Sequence, residues 1–405
     1  MINIVNKQNC CGCGACEQVC PKQCISMSED KEGFLYPIVD VNNCIDCNLC
    51  NKVCPVLNRY SEPLRKPASY ACKSLDDNLI AKSSSGGFFS ILAEFVIRKG
   101  GVVFGARFED NWSVRYDYTE TVDGLSVFRG SKYVQAEVGL AYKNVKKFLV
   151  QGRWVLFTGT PCHVSGLNHY LRKKYDKLLT LDFVCHSIPS PMVWRDYLKS
   201  VSSNRQITYI TFRDKSFGWD NYGIKVSGIS SDMYTVQNFV HGSHKENIYM
   251  RAFLSNLTAR PSCFSCPARC YTSGSDIMMA DCWGFNTYHP EINDNKGMSL
   301  VLPVSPKGIE IFNLLKDNLF VLPIPYDEVE EETNHSPLIR SAKEHFYRQL
   351  FFDNYSSTEI ESKMTYYVNK GEKRKKRIES CKSFIRYLIG TNNILKIRKI
   401  LCGRK

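Results

Sequence analysis

Eight of the nineteen cysteines fall into two copies of one pattern. Cys10, Cys13, Cys16 and Cys20 precede Pro21, and Cys44, Cys47, Cys50 and Cys54 precede Pro55. Each copy reads C-x2-C-x2-C-x3-C-P, the spacing that holds a [4Fe–4S] cluster. Three thiolates two residues apart wrap one corner of a cubane, and in two-cluster proteins the fourth cysteine of each run serves the other cluster. The spacing therefore predicts Cys10, Cys13, Cys16 and Cys54 on one cluster, and Cys44, Cys47, Cys50 and Cys20 on the second. Zinc takes pairs of C-x2-C across a longer loop. Cys11 and Cys24 lie outside the repeat and read as spare thiols. Chemistry of this kind moves electrons singly.

Four further cysteines stand at the ends of predicted elements. Cys162 follows Thr160 and Pro161 at a helix start, Cys185 ends a strand just before His186, and Cys263 and Cys266 form a C-x2-C in a loop. A strand end, a helix start and a loop can converge on one point, and four thiolates are what a third cluster requires. The loop pair alone fits zinc equally, unliganded buried cysteines pack as small hydrophobes, and Cys270 and Cys282 are near enough in sequence to replace a ligand.

The elements that must position these groups follow from pattern. Residues 1–60 form a cysteine module with internal two-fold repetition and a strand pair between its halves. Residues 61–69 are a polar linker with prolines. A helix follows residues 83–87, with Phe88, Ile91, Leu92, Phe95 and Val96 on one side and Gly100-Gly101 as its stop. Strands at 102–106, 153–158 and 178–184 alternate with helices, which argues a parallel α/β unit. Residues 206–240 read as antiparallel strands. The expected fold class is α+β and multidomain: a two-cluster module, a mixed α/β body divided into 70–150 and 151–350, and a basic helical tail over 351–405.

Length and composition set bounds. At 405 residues with 43% hydrophobic content, the chain has room for two or three domains with a sizeable core. The start resembles no signal peptide, and no run approaches a membrane span. Reduced thiols then point to the cytoplasm. Net charge is +13, and residues 366–405 carry thirteen Lys or Arg against Glu372 and Glu379. The body is nearly neutral and the end strongly basic. Ile378, Cys381, Phe384, Ile385, Leu388 and Ile389 fall on one side of a tail helix, a pattern suited to peripheral contact with an anionic membrane at its inner face or to packing on the protein's own body. No nucleic acid partner is expected.

The stretch from about residue 70 to about residue 322 resembles the beta subunits of coenzyme F420-reducing hydrogenases and dehydrogenases. The resemblance is carried by Ser-Ser-Ser-Gly-Gly at 83–87, Gly-Ser-Lys-Tyr-Val-Gln at 130–135, Gly-Thr-Pro-Cys at 159–162, Asp-Phe-Val-Cys-His at 182–186, Cys263-Phe-Ser-Cys266, and Ser-Asp-Ile at 275–277 with Asp-Cys-Trp-Gly at 281–284. It implies a body that binds FAD and one [4Fe–4S] cluster, with Cys162, Cys185, Cys263 and Cys266 as ligands, behind an N-terminal two-cluster ferredoxin fold. The chain departs from the family pattern at His163, where Gln is common, at Ser187, where Gly is frequent, and at Cys282, where an aromatic residue is usual.

Candidate flavin residues follow. Ser84, Ser85, Gly86 and Gly87 precede a helix whose free amides suit phosphate, although a serine cap with a glycine turn serves any helix. Lys132 is placed to neutralise a pyrophosphate, or is simply solvated. Thr158, Gly159 and Thr160 end a strand, where α/β ligands bind. Asp276, Asp281 and Trp283 are read into the same site, and His186 as a proton donor; for Trp283 a place in the core and for His186 a structural hydrogen bond are the competing readings. No G-x-G-x-x-G is present. The expected function is an FAD- and [4Fe–4S]-dependent oxidoreductase that exchanges electrons with a donor or acceptor protein and a hydride with a deazaflavin or other small, sugar-linked or organic molecule. The alternative is a non-catalytic electron-transfer subunit serving a partner enzyme, with polysaccharide synthesis as one setting.

Overall fold

The structure, a computed structural model, describes residues 1–61, 66–230, 234–325, 328 and 338–389, without the side chains of 385–389. The N-terminal module is built on a hairpin of β1 (Ile25–Glu29) and β2 (Leu35–Val39), paired antiparallel from Ile25↔Val39 to Glu29↔Leu35. Each cysteine run winds into one short helix, Ala15–Val19 or Leu49–Lys52, and each helix is entered through a left-handed residue, Gly14 or Asn48. The same turn in both halves is the structural form of the sequence repeat.

The body is one eight-stranded sheet. Its strands are β3 (Tyr70–Ser74), β4 (Val102–Phe108), β5 (Val114–Thr119), β6 (Val155–Gly159), β7 (Leu178–Phe183), β11 (Ile277–Asp281), β12 (Ser299–Pro303) and β13 (Leu319–Pro323), in the order β13-β3-β12-β11-β7-β6-β4-β5. Four neighbours, β11, β7, β6 and β4, run parallel, and the outer pairings are antiparallel. Strands buried on both faces read as unbroken apolar runs. In β6, Val155 and Phe157 pack toward one layer of helices and Leu156 toward the other. Leu92 and Val96 of the helix Phe88–Arg98 cover one face; Tyr142, Val145 and Leu167 cover the opposite one. The sheet takes strands from both sides of residue 150, so the expected segments 70–150 and 151–350 share a single sheet rather than forming two cores.

A second sheet of β8 (Ile207–Asp214), β9 (Gly223–Ile229) and β10 (Val236–Ser243) is antiparallel throughout. It shares an aromatic core with Trp194, Tyr197 and Tyr249. The helices Arg348–Asp353 and Ile360–Ile389 add Phe351, Phe352, Ile360, Met364, Tyr367 and Val368 to that core. This corrects the expected tail boundary: residues 351–368 belong to the body, because their apolar positions recur at helical spacing and bury against it. Beyond them Cys381 and Phe384 are exposed. The side chains of Ile385, Leu388 and Ile389 lie outside the described residues. Among the described residues no helix is long and apolar enough to cross a membrane.

The N-terminal module is docked on the body. Gln18 Oε1 accepts from the amides of Tyr142 and Lys143 at the start of the helix Ala141–Val150. Ser190 Oγ donates to the Glu32 carbonyl. The Glu32 carboxylate pairs with Arg348, both nearly fully buried. A Cβ at Gly166 would lie 2.9 Å from Cys13 Cβ and 3.0 Å from its sulfur. Glycine there lets the first cysteine run press against the helix Pro161–Leu171.

Candidate redox site

Cys10, Cys13, Cys16 and Cys54 act on one another, and Cys50 acts on Cys16 and Cys54 as well. Burial pushes the Cys16 thiol up, and the neighbouring Cys10 and Cys54 push it further; Cys54 is raised by burial and by Cys10. Cys13 is influenced by Cys16 and Cys54. Cys20 Sγ lies 3.4 Å from Cys24 Sγ, and Cys44 acts on Cys24 as well. Crowded thiols that resist ionisation are what a cluster reverses, since a coordinating thiol is deprotonated outright.

Cys162, Cys185, Cys263 and Cys266 line one small cavity together with Cys11, Pro161, Ile188 and Arg269. Burial raises Cys185 well above the ordinary thiol range, and Cys263, Cys162 and Cys266 add to the shift. The helix Pro161–Leu171 supplies Cys162 in its first turn, the segment after β7 supplies Cys185, and the short turn Pro261–Ser265 with its cap supplies the pair. The donor set fits a cubane in number and chemistry. Cys270 instead donates to the Ile339 carbonyl, and Cys282 is buried elsewhere, where it acts on Cys72. Cys11 lines the four-cysteine cavity and packs with Cys13 and Cys162 in one buried cluster, between the first cysteine run and the third set. Among the described residues no three metal-binding side chains converge tightly enough for a single ion; the thiolates of a cubane stand further apart.

A cavity of about 590 Å³ opens at the carboxyl ends of the four parallel strands, where ligands of open α/β sheets bind. Ala106 of β4, Thr158 and Gly159 of β6, Phe183 of β7 and Asp281 of β11 line it. Cys185 lines both this cavity and the four-cysteine one. Ser84, Ser85, Gly87, Lys132, Thr160, His186 and Trp283 also line it, whereas Gly86 and Asp276 do not. Gly86 packs against backbone, where a Cβ would meet the Cys72 carbonyl at 2.4 Å. Asp276 accepts from the Thr180 amide, Thr180 Oγ1 and Ser305 Oγ, and so fastens β7 to the turn after β12. Both are structural positions.

The serine loop is internally satisfied. Ser84 Oγ accepts from the Ser131 amide at 2.8 Å, and Ser85 Oγ donates to the Met298 carbonyl. What faces a ligand is then the start of the eleven-residue helix Phe88–Arg98, whose first amides lack intrahelical partners. Lys132 Nζ donates to the carbonyls of Val127, Arg129 and Gly130. Desolvation lowers it to about 7. His186 donates Nε2–H to the Leu254 carbonyl at 3.1 Å, and burial lowers it to about 4. A neutral imidazole anchored to a main-chain carbonyl is a poor acid at neutral pH. Trp283 is 43% exposed and stacks on Trp219 at 4.9 Å, so it forms the cavity's rim rather than core.

Three further groups shape the site: His163, which the sequence marks only as a departure from the family pattern, and Tyr116 and Arg213, which it does not mark. His163 lines the cavity, bonds Tyr116 Oη through Nδ1 at 2.9 Å and keeps an Nε2 without a partner among the described residues. Burial lowers it to about 3, so it is neutral. Tyr116 also explains Gly159: a Cβ there would stand 2.3 Å from the tyrosine oxygen. Arg213 grips Asp281 with both Nη atoms and donates to the Ser84 carbonyl. Its guanidinium carbon lies 4.1 Å from the Tyr222 ring centroid. Asp281 is therefore held by a cation rather than left open to a ligand.

Residues 152–326 match the family described as the C terminus of the coenzyme F420 hydrogenase/dehydrogenase beta subunit. Residues 9–58 match the 4Fe-4S dicluster domain. Among solved structures, the F420-reducing [NiFe] hydrogenase complex from Methanosarcina barkeri is similar over 82% of this chain and 96% of that chain, at 16% identity and a TM-score of 0.44, which is too slight to carry an argument. No curated protein matches the chain.

Proposed function

We propose, from the match of residues 152–326 to the C terminus of the coenzyme F420 hydrogenase/dehydrogenase beta subunit behind a 4Fe-4S dicluster domain, that the chain is an iron–sulfur flavoprotein oxidoreductase of that family. Iron–sulfur electron transfer is common to that family and domain. The finer reading adds FAD in the large cavity, a third cluster on Cys162, Cys185, Cys263 and Cys266, an electron-exchanging partner protein and a small hydride acceptor or donor. The observation that carries it is Cys185, which lines both cavities at once.

A bound flavin would supply the change from single electrons to hydride. The chain's own residues would hold it. The amides that open the helix Phe88–Arg98 and the Lys132 ammonium offer positive potential to phosphates. Thr158 Oγ1 donates to the Phe104 carbonyl and fixes the strand end beneath the ring site. His163, neutral and oriented by Tyr116, lines the cavity while its Nε2 stays buried and without a partner among the described residues. The apolar lining from Phe88, Phe128 and Phe253 excludes water. Anaerobic purification with flavin and acid-labile sulfide quantification tests the reading. FAD retained at close to one per chain and bleached by a hydride donor supports it. Clusters without flavin would leave only the electron carrier.

Lys132 gives a pH dependence. Its folded-state pKa is lowered to about 7 from an ordinary lysine value. Below that it is charged and attracts an anion; above it the charge is lost. FAD affinity is expected to fall as pH rises above 7, by up to roughly tenfold per unit until the bound-state pKa is passed. For the flavin-free protein the sign is opposite. Between about 7 and the unfolded pKa the unfolded chain binds the extra proton, so stability rises with pH. Flavin titrations from pH 6 to 9 on wild type and Lys132→Met check this; the variant should bind weakly with a flat profile.

A further inference from the structure

Among the described residues three arginines are buried: Arg213, Arg260 and Arg348. Arg213 pairs with Asp281 and Arg348 with Glu32. Arg260 is 0% exposed, and among the described residues no carboxylate pairs with it. Its Nε donates to the Cys10 carbonyl at 2.9 Å, Nη1 to Gln135 Oε1 at 3.1 Å, and Nη2 to the Leu35 carbonyl at 2.9 Å and to Cys10 Sγ at 3.6 Å. Its guanidinium carbon lies 4.2 Å from the Tyr36 ring centroid. Gly12 must be glycine beside it, since φ there is +72° and a Cβ would lie 3.0 Å from Nη1. A buried guanidinium without a counter-charge is strongly unfavourable, yet this one is built into the seam between the N-terminal module and the body.

We propose that the counter-charge of Arg260 is the iron–sulfur cluster held by Cys10, Cys13, Cys16 and Cys54, and that Arg260 sets this cluster as the more readily reduced of the dicluster pair. The inference rests on the assignment of Cys10 to that cluster. Four thiolates leave a cubane anionic, and one added electron makes it more so. Net charge and hydrogen bonds to sulfur are among the determinants of cluster potential. A fixed cation that also donates to Cys10 Sγ stabilises the reduced form more than the oxidised one. The electron leaves the Cys20, Cys44, Cys47 and Cys50 cluster, which is oxidised, and enters the Arg260 cluster, which is reduced. No proton moves, because a guanidinium does not release one. The direction is inward, toward Cys11 and Cys162, which pack with Cys13 and line the four-cysteine cavity. Arg260 is thus a positioning residue for electrons: it touches the cluster ligand and acts through charge.

The test is an EPR-monitored redox titration of the full chain, purified anaerobically, in wild type, Arg260→Gln and Arg260→Lys, with iron and sulfide measured on each. In Arg260→Gln, one dicluster signal should become at least tenfold harder to reduce, a downward shift of 59 mV or more for one electron, while the other holds. Arg260→Lys should move the same signal by less. An iron-replete Arg260→Gln with both signals unmoved overturns the inference and leaves the proposed function intact. Should Arg260→Gln lose iron, Arg260→Lys decides: retained clusters support a charge role, and equal loss overturns it. A wild-type protein without dicluster signals would overturn the cluster assignment itself.

Discussion

Replacing Cys185 by alanine is expected to remove about a third of the iron, since three clusters of equal composition would fall to two, while leaving the dicluster signals in place. Reduction of the flavin by electrons entering at the dicluster should slow by about a hundredfold or more, because even outer-shell partners of a metal site are worth 10–100-fold and this residue is a proposed ligand. Hydride exchange between flavin and its small-molecule partner should survive, since nothing in that step passes through the four-cysteine cavity. The asymmetry follows from position. Cys185 stands just past β7, on the boundary of both cavities. The Cys263→Ala variant, which lines only the smaller cavity, serves as the companion: it should lose the same iron with less disturbance of flavin. Iron analysis, EPR and stopped-flow flavin bleaching separate the outcomes. Full iron in Cys185→Ala would mean that the four thiols do not share a cluster.

Much of this arrangement is legible because cysteine spacing encodes geometry locally. Three thiolates within seven residues have few ways to face one point, and the repeated left-handed turns at Gly14 and Asn48 show the same solution twice. The ends of β6 and β7 are equally legible. A short apolar run followed by Gly-Thr-Pro, or by Cys-His, places its last residues at a strand's carboxyl end whatever the rest of the chain does. Asp276 and Asp281 show where such reading stops. Both flank or end β11, and pattern alone assigns both to the ligand. Their partners, Thr180 and Ser305 for one and Arg213 for the other, come from distant segments. Arg260 and Arg348 are illegible for the same reason. A single arginine in sequence carries no mark of burial, and its meaning comes from Cys10 or Glu32 more than two hundred residues away. The residues 351–368 do carry a signal in their helical apolar spacing, but the basic run that follows dominates the composition.

Arg213 sets the second large expectation. It is 6% exposed, reaches both oxygens of Asp281, and holds the Ser84 carbonyl at 3.1 Å. It therefore ties β8 to the end of β11 and to the serine loop, three segments that meet at the cavity. Arg213→Met leaves Asp281 largely buried and without its cation. Breaking a buried pair from one side costs about 3–5 kcal/mol, and the indole Nε1–H of Trp219, 3.3 Å from Asp281 Oδ1, replaces little of that. Thermal unfolding should shift down clearly, and retained flavin should fall by at least about tenfold, the equivalent of 1.4 kcal/mol, as the Ser84 loop loses its anchor. The double variant Arg213→Met, Asp281→Leu separates the two effects. It removes the stranded carboxylate, and apolar replacement of a whole buried pair is often neutral, so thermal stability should largely return. Flavin retention should not, because the Ser84 carbonyl still lacks its donor. Recovery of both together would mean that Arg213 serves the fold alone; recovery of stability without flavin places it among the groups that shape the cofactor cavity.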